Sequence, residues 1–204
     1  MQLILVRHAL PERVHGTNGG VADPALTELG ERQASRLVAA VGTDVAALYS
    51  SPMARARATA APLATALGLP ARIVEDLREY DADSAQYVPV HEMPVADPAG
   101  WQRIVDGLLP EYVDVDGFIA RVGAALEGIV AAHPGRESAV VVAHAGVVNC
   151  WLAHLLGIDR PLAFPLDYTG VSRVLALRDG RRLVRTVNEI THVADLLAPT
   201  AGTG

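Results

Sequence analysis

Short apolar runs alternate with amphipathic stretches along the chain, and this alternation predicts an α/β protein. Residues 2–7 and 138–143 are nearly continuous apolar runs, typical of strands buried on both faces. Residues 24–42 and 52–69 instead place small or apolar side chains at helical spacing. Because strands and helices alternate, we expect a three-layer sandwich in which helices flank a mostly parallel central sheet.

The remaining periodic segments extend this pattern. Shorter strands are predicted at 45–50 and 71–77, and further helices at 116–133 and 146–158. Thr27 is a candidate N-cap of the first helix, and Asp116 is a candidate N-cap of the third. Proline removes a backbone donor, so Pro62 predicts a bend or break in the second helix.

Two segments depart from the strand-helix alternation. Residues 170–190 predict a late antiparallel hairpin that turns at Asp179 and Gly180. Residues 78–114 are rich in Asp, Pro, Gly and Tyr, and we expect them to form a lid or substrate-specific insertion with a short helix near Trp101. With no linker in view, residues 1–204 are predicted to form a single domain.

Composition narrows the possible functions. The net charge of −6 argues against a nucleic-acid-binding protein, because phosphate backbones favour a basic surface. None of the 17 basic residues is a lysine, and this excludes the phosphate loop of Walker-type nucleotide hydrolases. No apolar run is long enough for a membrane span, so we expect a cytoplasmic protein with no membrane partner. A homodimer is plausible, although no sequence feature decides it.

Basic side chains and histidines stand where predicted strands end. Arg7 and His8 close the first strand, His144 follows the strand at 138–143, and Arg55 opens the second helix. In open α/β sheets the ligand lies beyond the carboxyl ends of the strands, so these side chains should converge. Two arginines and two histidines in one crevice of an acidic protein suit a dianion such as a phosphate group.

At this point the sequence resembles the histidine phosphatase superfamily, which includes phosphoglycerate mutases and many small phosphatases. The resemblance rests on an ordered set of motifs that covers most of the chain. The motifs are LVRHA at 5–9, DPALTELGERQA at 23–34, SSPMARARATA at 50–60, LRE at 77–79 and VVVAHAGVV at 140–148. Membership implies a phosphoglycerate mutase-like fold and, within the family, the small phosphatase branch.

The resemblance implies a role for each matching residue. His8 would be the nucleophile that accepts the phosphoryl group, and Arg7, Arg55 and a protonated His144 would stabilise its charge. Glu79 would donate a proton to the leaving group and then activate water. The acidic neighbours of Glu79 keep its assignment open, and these neighbours are Glu75, Asp76, Asp81 and Asp83.

The implied reaction is hydrolysis of a small phosphomonoester through a phosphohistidine, without metal or cofactor. Ala145, directly after His144, would also line the phosphate site. Two departures concern the substrate: Ala9 replaces the family's usual glycine, and the next segment lacks the Glu-Ser/Thr-x-x-Asn run that helps to bind substrate. Thr17 and Asn18 are candidates to replace that run.

Two other functions stay open. A phosphoglycerate mutase would return the phosphoryl group to a product, but the missing substrate run and the phosphatase-like C-terminal end argue against it. A silent phosphate-binding module is compatible with Ala9 and the unusual loop. The haloacid-dehalogenase-like motif at 114–118 follows a poor strand, and Cys150 lacks the arginine that tyrosine phosphatases place six residues later.

Overall fold

A computed structural model describes residues 1–16 and 20–197 and shows one six-stranded sheet with helices on both faces. The strands are β1 (Gln2–Arg7), β2 (Ala47–Ser50), β3 (Ala71–Ile73), β4 (Ser138–Ala143), β5 (Val171–Ala176) and β6 (Arg182–Glu189). The helices are α1 (Glu28–Val41), α2 (Ala54–Leu67), α3 (Met93–Ala96), α4 (Pro98–Val105), α5 (Val115–Ala131) and α6 (Ala145–Leu156). Short 3-10 helices lie at Glu75–Leu77, Val90–Glu92 and Ala194–Leu196.

The strand order β3-β2-β4-β1-β5-β6 places the two strands with basic ends side by side. The first four strands in this order are parallel to one another, whereas β5 runs antiparallel to both of its neighbours, β1 and β6. The predicted α/β fold, with its mostly parallel sheet and late hairpin, is therefore confirmed.

The sheet divides the core into two apolar clusters because successive side chains of a strand point to opposite faces. Ile4 and Val6 of β1 pack with α1 and α2 on one face. Leu3 and Leu5 pack with α5 and α6 on the other. The three predicted layers follow from this alternation.

Two local expectations are corrected: the break predicted at Pro62 is absent from α2, where a bend stays a prediction, and the N-cap of α5 is a different residue. The α2 helix is unbroken from Ala54 to Leu67 although it contains Pro62. The helical acceptor that Pro62 cannot bond is the carbonyl of Ala58, and Ala58 is exposed, so water can take the place of the missing donor. The N-cap of α5 is Asp114 rather than Asp116, because the Asp114 side chain accepts a hydrogen bond from the Gly117 amide at 3.1 Å.

The segment 78–114 contains the predicted helix near Trp101 as α4 and also the one-turn helix α3. A lid role for this segment, the single-domain organisation, the cytoplasmic location and the homodimer stay predictions. Within residues 1–16 and 20–197, no helix is both long and apolar enough to cross a membrane.

Candidate active site

The carboxyl ends of β1, β2 and β4 lie side by side and carry the polar residues of the site. Arg7 is in register with Ala143, so His8 and His144 leave neighbouring strands at the same level. The helices that follow β2 and β4, α2 and α6, both begin at this edge. This arrangement brings Arg55 of α2 to the two histidines, as the sequence predicts.

His8 is held in one tautomer by the backbone. Its amide donates to the Ala143 carbonyl at 2.9 Å, and its ring Nδ1 lies 2.8 Å from the Ala9 carbonyl oxygen. Because a carbonyl can only accept, Nδ1 carries the proton and Nε2 keeps its lone pair. Burial, followed by the charges of Arg55 and Arg7, holds the pKa of His8 well below its ordinary value. His8 is therefore a neutral imidazole with a free Nε2.

The two arginines are buried and only partly satisfied. The guanidinium of Arg7 lies over the Tyr168 ring, 3.9 Å from its centroid, and donates to the Leu166 carbonyl. Arg55 lies 4.7 Å from the centroid of the Tyr87 ring. Three buried nitrogens, Arg7 Nε and Arg55 Nε and Nη1, have no partner among the described residues. Buried cationic donors without acceptors are costly, and an anion in the pocket would satisfy them.

His144 faces His8 across the pocket, with 5.1 Å between the ring centroids. Its Nε2 lies 2.8 Å from the Ser51 hydroxyl oxygen, whereas its buried Nδ1 has no partner in the described chain. Burial and then the charge of Arg55 hold the pKa of His144 well below its ordinary value. This lowered pKa favours the neutral ring, and the protonated His144 expected from the sequence stays a prediction. A neutral ring can still donate from Nδ1 if the Ser51 hydroxyl donates to Nε2.

Glu79 is the buried member of the acidic loop. Its Oε2 accepts from the Gly146 amide at 2.8 Å, and its Oε1 accepts from the Tyr80 amide at 3.1 Å. Burial, and next the charge of Asp81, raise the pKa of Glu79 from 4.5 to about 7. A carboxyl group with this pKa can both give and take a proton near neutral pH.

The other acidic candidates lie elsewhere. Glu75 and Asp76 are exposed in the 3-10 helix before Glu79. The side chain of Asp83 is 86% exposed and lies 3.7 Å from Arg78. Asp81 is bonded to Arg55, with 3.0 Å between Oδ1 and Nη2. Geometry therefore favours Glu79 as the proton donor.

Several positioning contacts were missed by the sequence reasoning. The Ala9 amide donates to the Thr59 hydroxyl at 2.9 Å, and that hydroxyl donates to the Arg55 carbonyl at 2.7 Å. Ala9 is fully buried, so its small side chain fits where the family has glycine. The available signal was the sequence RARATA, in which Thr59 follows Arg55 by one helical turn. The role of Ser51 had no comparable signal, because its partner His144 is distant in sequence.

The remaining predicted site residues have different outcomes. Ala145 is the first residue of α6, at the helix end that favours anions, as a phosphate-site role requires. Thr17 and Asn18 lie outside the described residues. The residues before Thr17 pair with the segment 78–114 through the amides and carbonyls of Val14 and Tyr87, at 3.0 and 2.9 Å. This segment also places the Tyr87 ring against Arg55.

The site combines a neutral buried imidazole, arginines whose N–H groups lack partners among the described residues, and a carboxyl group that can carry a proton. This combination is typical of enzymes that transfer phosphoryl groups. The family model of the histidine phosphatase superfamily (branch 1) matches residues 3–189, and the chain belongs to this family. This confirms the family resemblance and the phosphatase-type enzyme class that it implies.

Curated relatives cover nearly all of the chain at modest identity. Phosphoserine phosphatase 1 of Hydrogenobacter thermophilus is 28% identical over 207 residues, which cover 96% of this chain and 95% of that protein. A probable phosphoglycerate mutase of Citrobacter koseri is 27% identical over 209 residues, with 95% of each chain covered.

Solved structures share the fold. A phosphoserine phosphatase from Entamoeba histolytica, in complex with 3-phosphoglyceric acid, has a TM-score of 0.73 at 20% identity and covers 94% of this chain and 98% of its own. A mycobacterial glucosyl-3-phosphoglycerate phosphatase in complex with VO3 has a TM-score of 0.74 at 22% identity, with 92% and 98% covered.

Proposed function

We propose that this chain hydrolyses phosphomonoesters through a phosphohistidine formed on Nε2 of His8. The observation that carries this proposal is the contact between His8 Nδ1 and the Ala9 carbonyl, 2.8 Å long. It fixes the proton on Nδ1 and leaves Nε2 free to attack. Burial and two neighbouring guanidinium groups keep the ring neutral, which a nucleophilic imidazole requires.

In the first step, Nε2 of His8 attacks phosphorus while the bond from phosphorus to the ester oxygen breaks. The leaving oxygen takes the proton of Glu79 and departs as an alcohol. The N–H groups of Arg7 and Arg55 that have no partner within the described residues bond to the equatorial oxygens of the transferred group. The pKa of about 7 keeps a substantial share of Glu79 protonated at neutral pH.

In the second step, the Glu79 carboxylate takes a proton from a water molecule that attacks the phosphohistidine. The bond between Nε2 and phosphorus breaks, inorganic phosphate leaves, and His8 returns to its starting tautomer. Glu79 thereby regains the proton that it gave away. The first residues of α6, including Ala145, add the positive end of a helix dipole to the phosphate site.

We propose that no metal takes part, because the two guanidinium groups supply the positive charge that the transferred group requires. No group of three or more His, Cys, Asp or Glu side chains with metal-binding geometry occurs in the described parts of the chain. Activity in excess EDTA tests this part of the proposal.

The substrate class is a small molecule that carries a phosphate ester on a hydroxyl group. Proteins similar to this chain bear the names phosphoserine phosphatase and glucosyl-3-phosphoglycerate phosphatase, and these compounds define a first substrate panel. A mutase is the second candidate, because a probable phosphoglycerate mutase aligns along 95% of the chain. Free phosphate as a product favours the phosphatase, and isomerised phosphoglycerate favours the mutase.

The test is release of p-nitrophenol from p-nitrophenyl phosphate in EDTA, with wild-type protein and His8→Ala. We expect turnover by wild type and a loss of at least about a thousandfold in the variant, because the only proposed nucleophile is removed. His15 lies on the exposed segment after β1, so His15→Ala is a matched control that keeps full activity. Activity that requires a metal, or that survives in His8→Ala, would contradict the proposal.

A further inference from the structure

Asp81 places a negative charge beside a pocket that is otherwise suited to anions. Its Oδ1 accepts from Nη2 of Arg55 at 3.0 Å, and its side chain is only 21% exposed. Arg55 is 1% exposed, and its Nε and Nη1 have no other partner in the described chain. A carboxylate here should weaken phosphate binding, because like charges repel strongly in a poorly hydrated site. Its presence therefore needs a compensating role.

The geometry shows two effects that Asp81 can have. It holds one end of the Arg55 guanidinium, so that the unpartnered N–H groups keep a fixed orientation. It also lies two residues from Glu79, which is buried and bonded to the Gly146 and Tyr80 amides. Both amide contacts favour the ionised carboxylate, and the Asp81 charge opposes them.

We propose that Asp81 is a positioning residue that orients Arg55 and keeps the proton on Glu79, at a cost in phosphate affinity. This inference rests on the proposed function, since it assigns Glu79 the proton-donor role. Without Asp81, burial alone would oppose the two amides and the Arg55 charge, so a smaller share of Glu79 would keep its proton at neutral pH.

Other groups also act on Glu79 and must be held constant in a test. The titratable or charged groups that interact with Glu79 come from five places in the fold. They are Tyr80 and Asp81 of its own segment, Arg55 of α2, Tyr112 of the loop before α5, Arg121 of α5 and Cys150 of α6. Of these, Asp81 is the one carboxyl group, so its removal tests the effect of a like charge.

The experiment is the pH profile of kcat/KM for Asp81→Asn with phosphoserine or another alkyl phosphate that the wild type hydrolyses. An alkyl leaving group requires the proton of Glu79, so kcat/KM falls as pH rises through the Glu79 pKa. Asparagine keeps an acceptor for Arg55 but removes the charge. We expect the alkaline limb to move to lower pH by about half a unit or more.

Inhibition by inorganic phosphate is the second readout. Asp81→Asn should bind phosphate about threefold tighter or more, because a threefold change in affinity is the same free energy as half a pH unit. Asp81→Glu keeps the charge and should keep the wild-type limb. Asp83→Asn is the matched control, because Asp83 lies two residues further on with an 86% exposed side chain. We expect it to leave both readouts unchanged.

The role of Asp81 would be overturned if the alkaline limb of the kcat/KM profile were the same for Asp81→Asn and wild type. Unchanged inhibition by phosphate would overturn it as well. Equal shifts in Asp81→Asn and Asp83→Asn would also overturn it, because they would indicate a general effect of net charge. These outcomes are distinct from failure of the proposed function, in which wild-type protein itself has no phosphatase activity or keeps it without His8.

Discussion

At the scale of single residues, the chemistry of this site depends on side chains whose pKa values differ from their ordinary values. The pKa values of His8 and His144 lie well below the ordinary value because burial and then the charge of Arg55 both disfavour the charged ring. Glu79 keeps a proton to about pH 7 for the same leading reason. A neutral His8 and a protonated Glu79 can therefore coexist near neutral pH, and the proposed first step requires both.

The first prediction concerns Glu79 and the pH dependence of stability. Its pKa is raised from 4.5 to about 7 on folding, so the stability it contributes is complete below pH 4.5 and is lost as pH rises through 7. The full difference corresponds to about 3 kcal/mol. Glu79→Gln cannot ionise, so its free energy of unfolding relative to wild type should rise by up to that amount between pH 4 and pH 8.

Denaturant unfolding at several pH values measures this difference. Glu75→Gln is the control, because it makes the same substitution at an exposed glutamate four residues before Glu79. We expect its difference from wild type to stay constant with pH. A Glu79→Gln difference that also stays constant would show that the carboxyl group is not held in its protonated form.

At this scale, sequence reasoning predicted which side chains come together at the strand ends, but it did not predict how burial shifts their pKa values. Arg7 and His8 were predictable because an apolar strand ends directly at them. The lowered pKa of His144 was not, since it depends on burial and on the nearby Arg55. Ser51, whose hydroxyl oxygen lies 2.8 Å from His144 Nε2, is 93 residues away from His144 in the sequence.

At the scale of elements, the start of α6 is fitted closely to the loop that carries Glu79. An ideal Cβ on Gly146 would lie 2.3 Å from Glu79 Oε1 and 2.8 Å from the Tyr80 ring. Such distances are below van der Waals contact, so only glycine allows the helix to approach. The Gly146 amide then bonds to the carboxyl group that it faces.

Gly146→Ala should therefore displace Glu79 and lower kcat on alkyl phosphates by about a hundredfold, the cost of misplacing a catalytic group by about 1 Å. Steady-state kinetics measure this loss. Gly128→Ala in α5 is the matched helical control, because a Cβ there meets nothing within 4 Å. That change should leave kcat unaltered and stabilise the helix by about 0.5–1 kcal/mol. Near-normal kcat in Gly146→Ala would mean that the position of Glu79 is not important.

The elements themselves were largely predictable from periodicity, and the exceptions have local causes. The α2 helix tolerates Pro62 because the carbonyl left without a helical donor belongs to Ala58, which is exposed to water. The cap of α5 is Asp114 rather than the predicted Asp116, because the Asp114 side chain accepts the hydrogen bond of the Gly117 amide. The strand predicted at 71–77 ends at Ile73, where the chain turns into a 3-10 helix. Boundaries depend on tertiary contacts that periodicity does not contain.

At the scale of the whole molecule, a basic pocket is embedded in an acidic protein. The net charge of −6 disfavours general binding of anions, so any tight oxyanion binding must come from the local pocket. Sequence alone predicted this contrast, since the arginines and histidines fall at strand ends. Which compounds fit beyond the phosphate group was not predictable, because the segment after Ala9 lacks the family's substrate-binding run and residues 78–114 show no clear periodicity.

Vanadate, a phosphate analogue, should accordingly stabilise the wild-type protein. At a hundred times its Kd, binding contributes about 2.7 kcal/mol and raises Tm by about 5–10 °C. Arg55→Met should abolish most of this shift in Tm, because it removes two buried donors, Nε and Nη1, that no described residue bonds. Arg57→Met changes an exposed arginine on the same helix, and this variant should retain the increase in Tm with vanadate. Thermal unfolding with and without vanadate tests this, and equal shifts in both variants would contradict a pocket built around Arg55.

The most direct measurement of the central claim is chemical trapping of the reaction intermediate. Protein mixed with excess substrate is quenched within a single turnover, digested at neutral to alkaline pH to protect phosphohistidine, and mapped by mass spectrometry. We expect one added phosphoryl group on the peptide that contains His8, located at its imidazole, and no such peptide from His8→Ala. Turnover with the phosphoryl group on another residue, or with equal trapping in His8→Ala, would contradict the account.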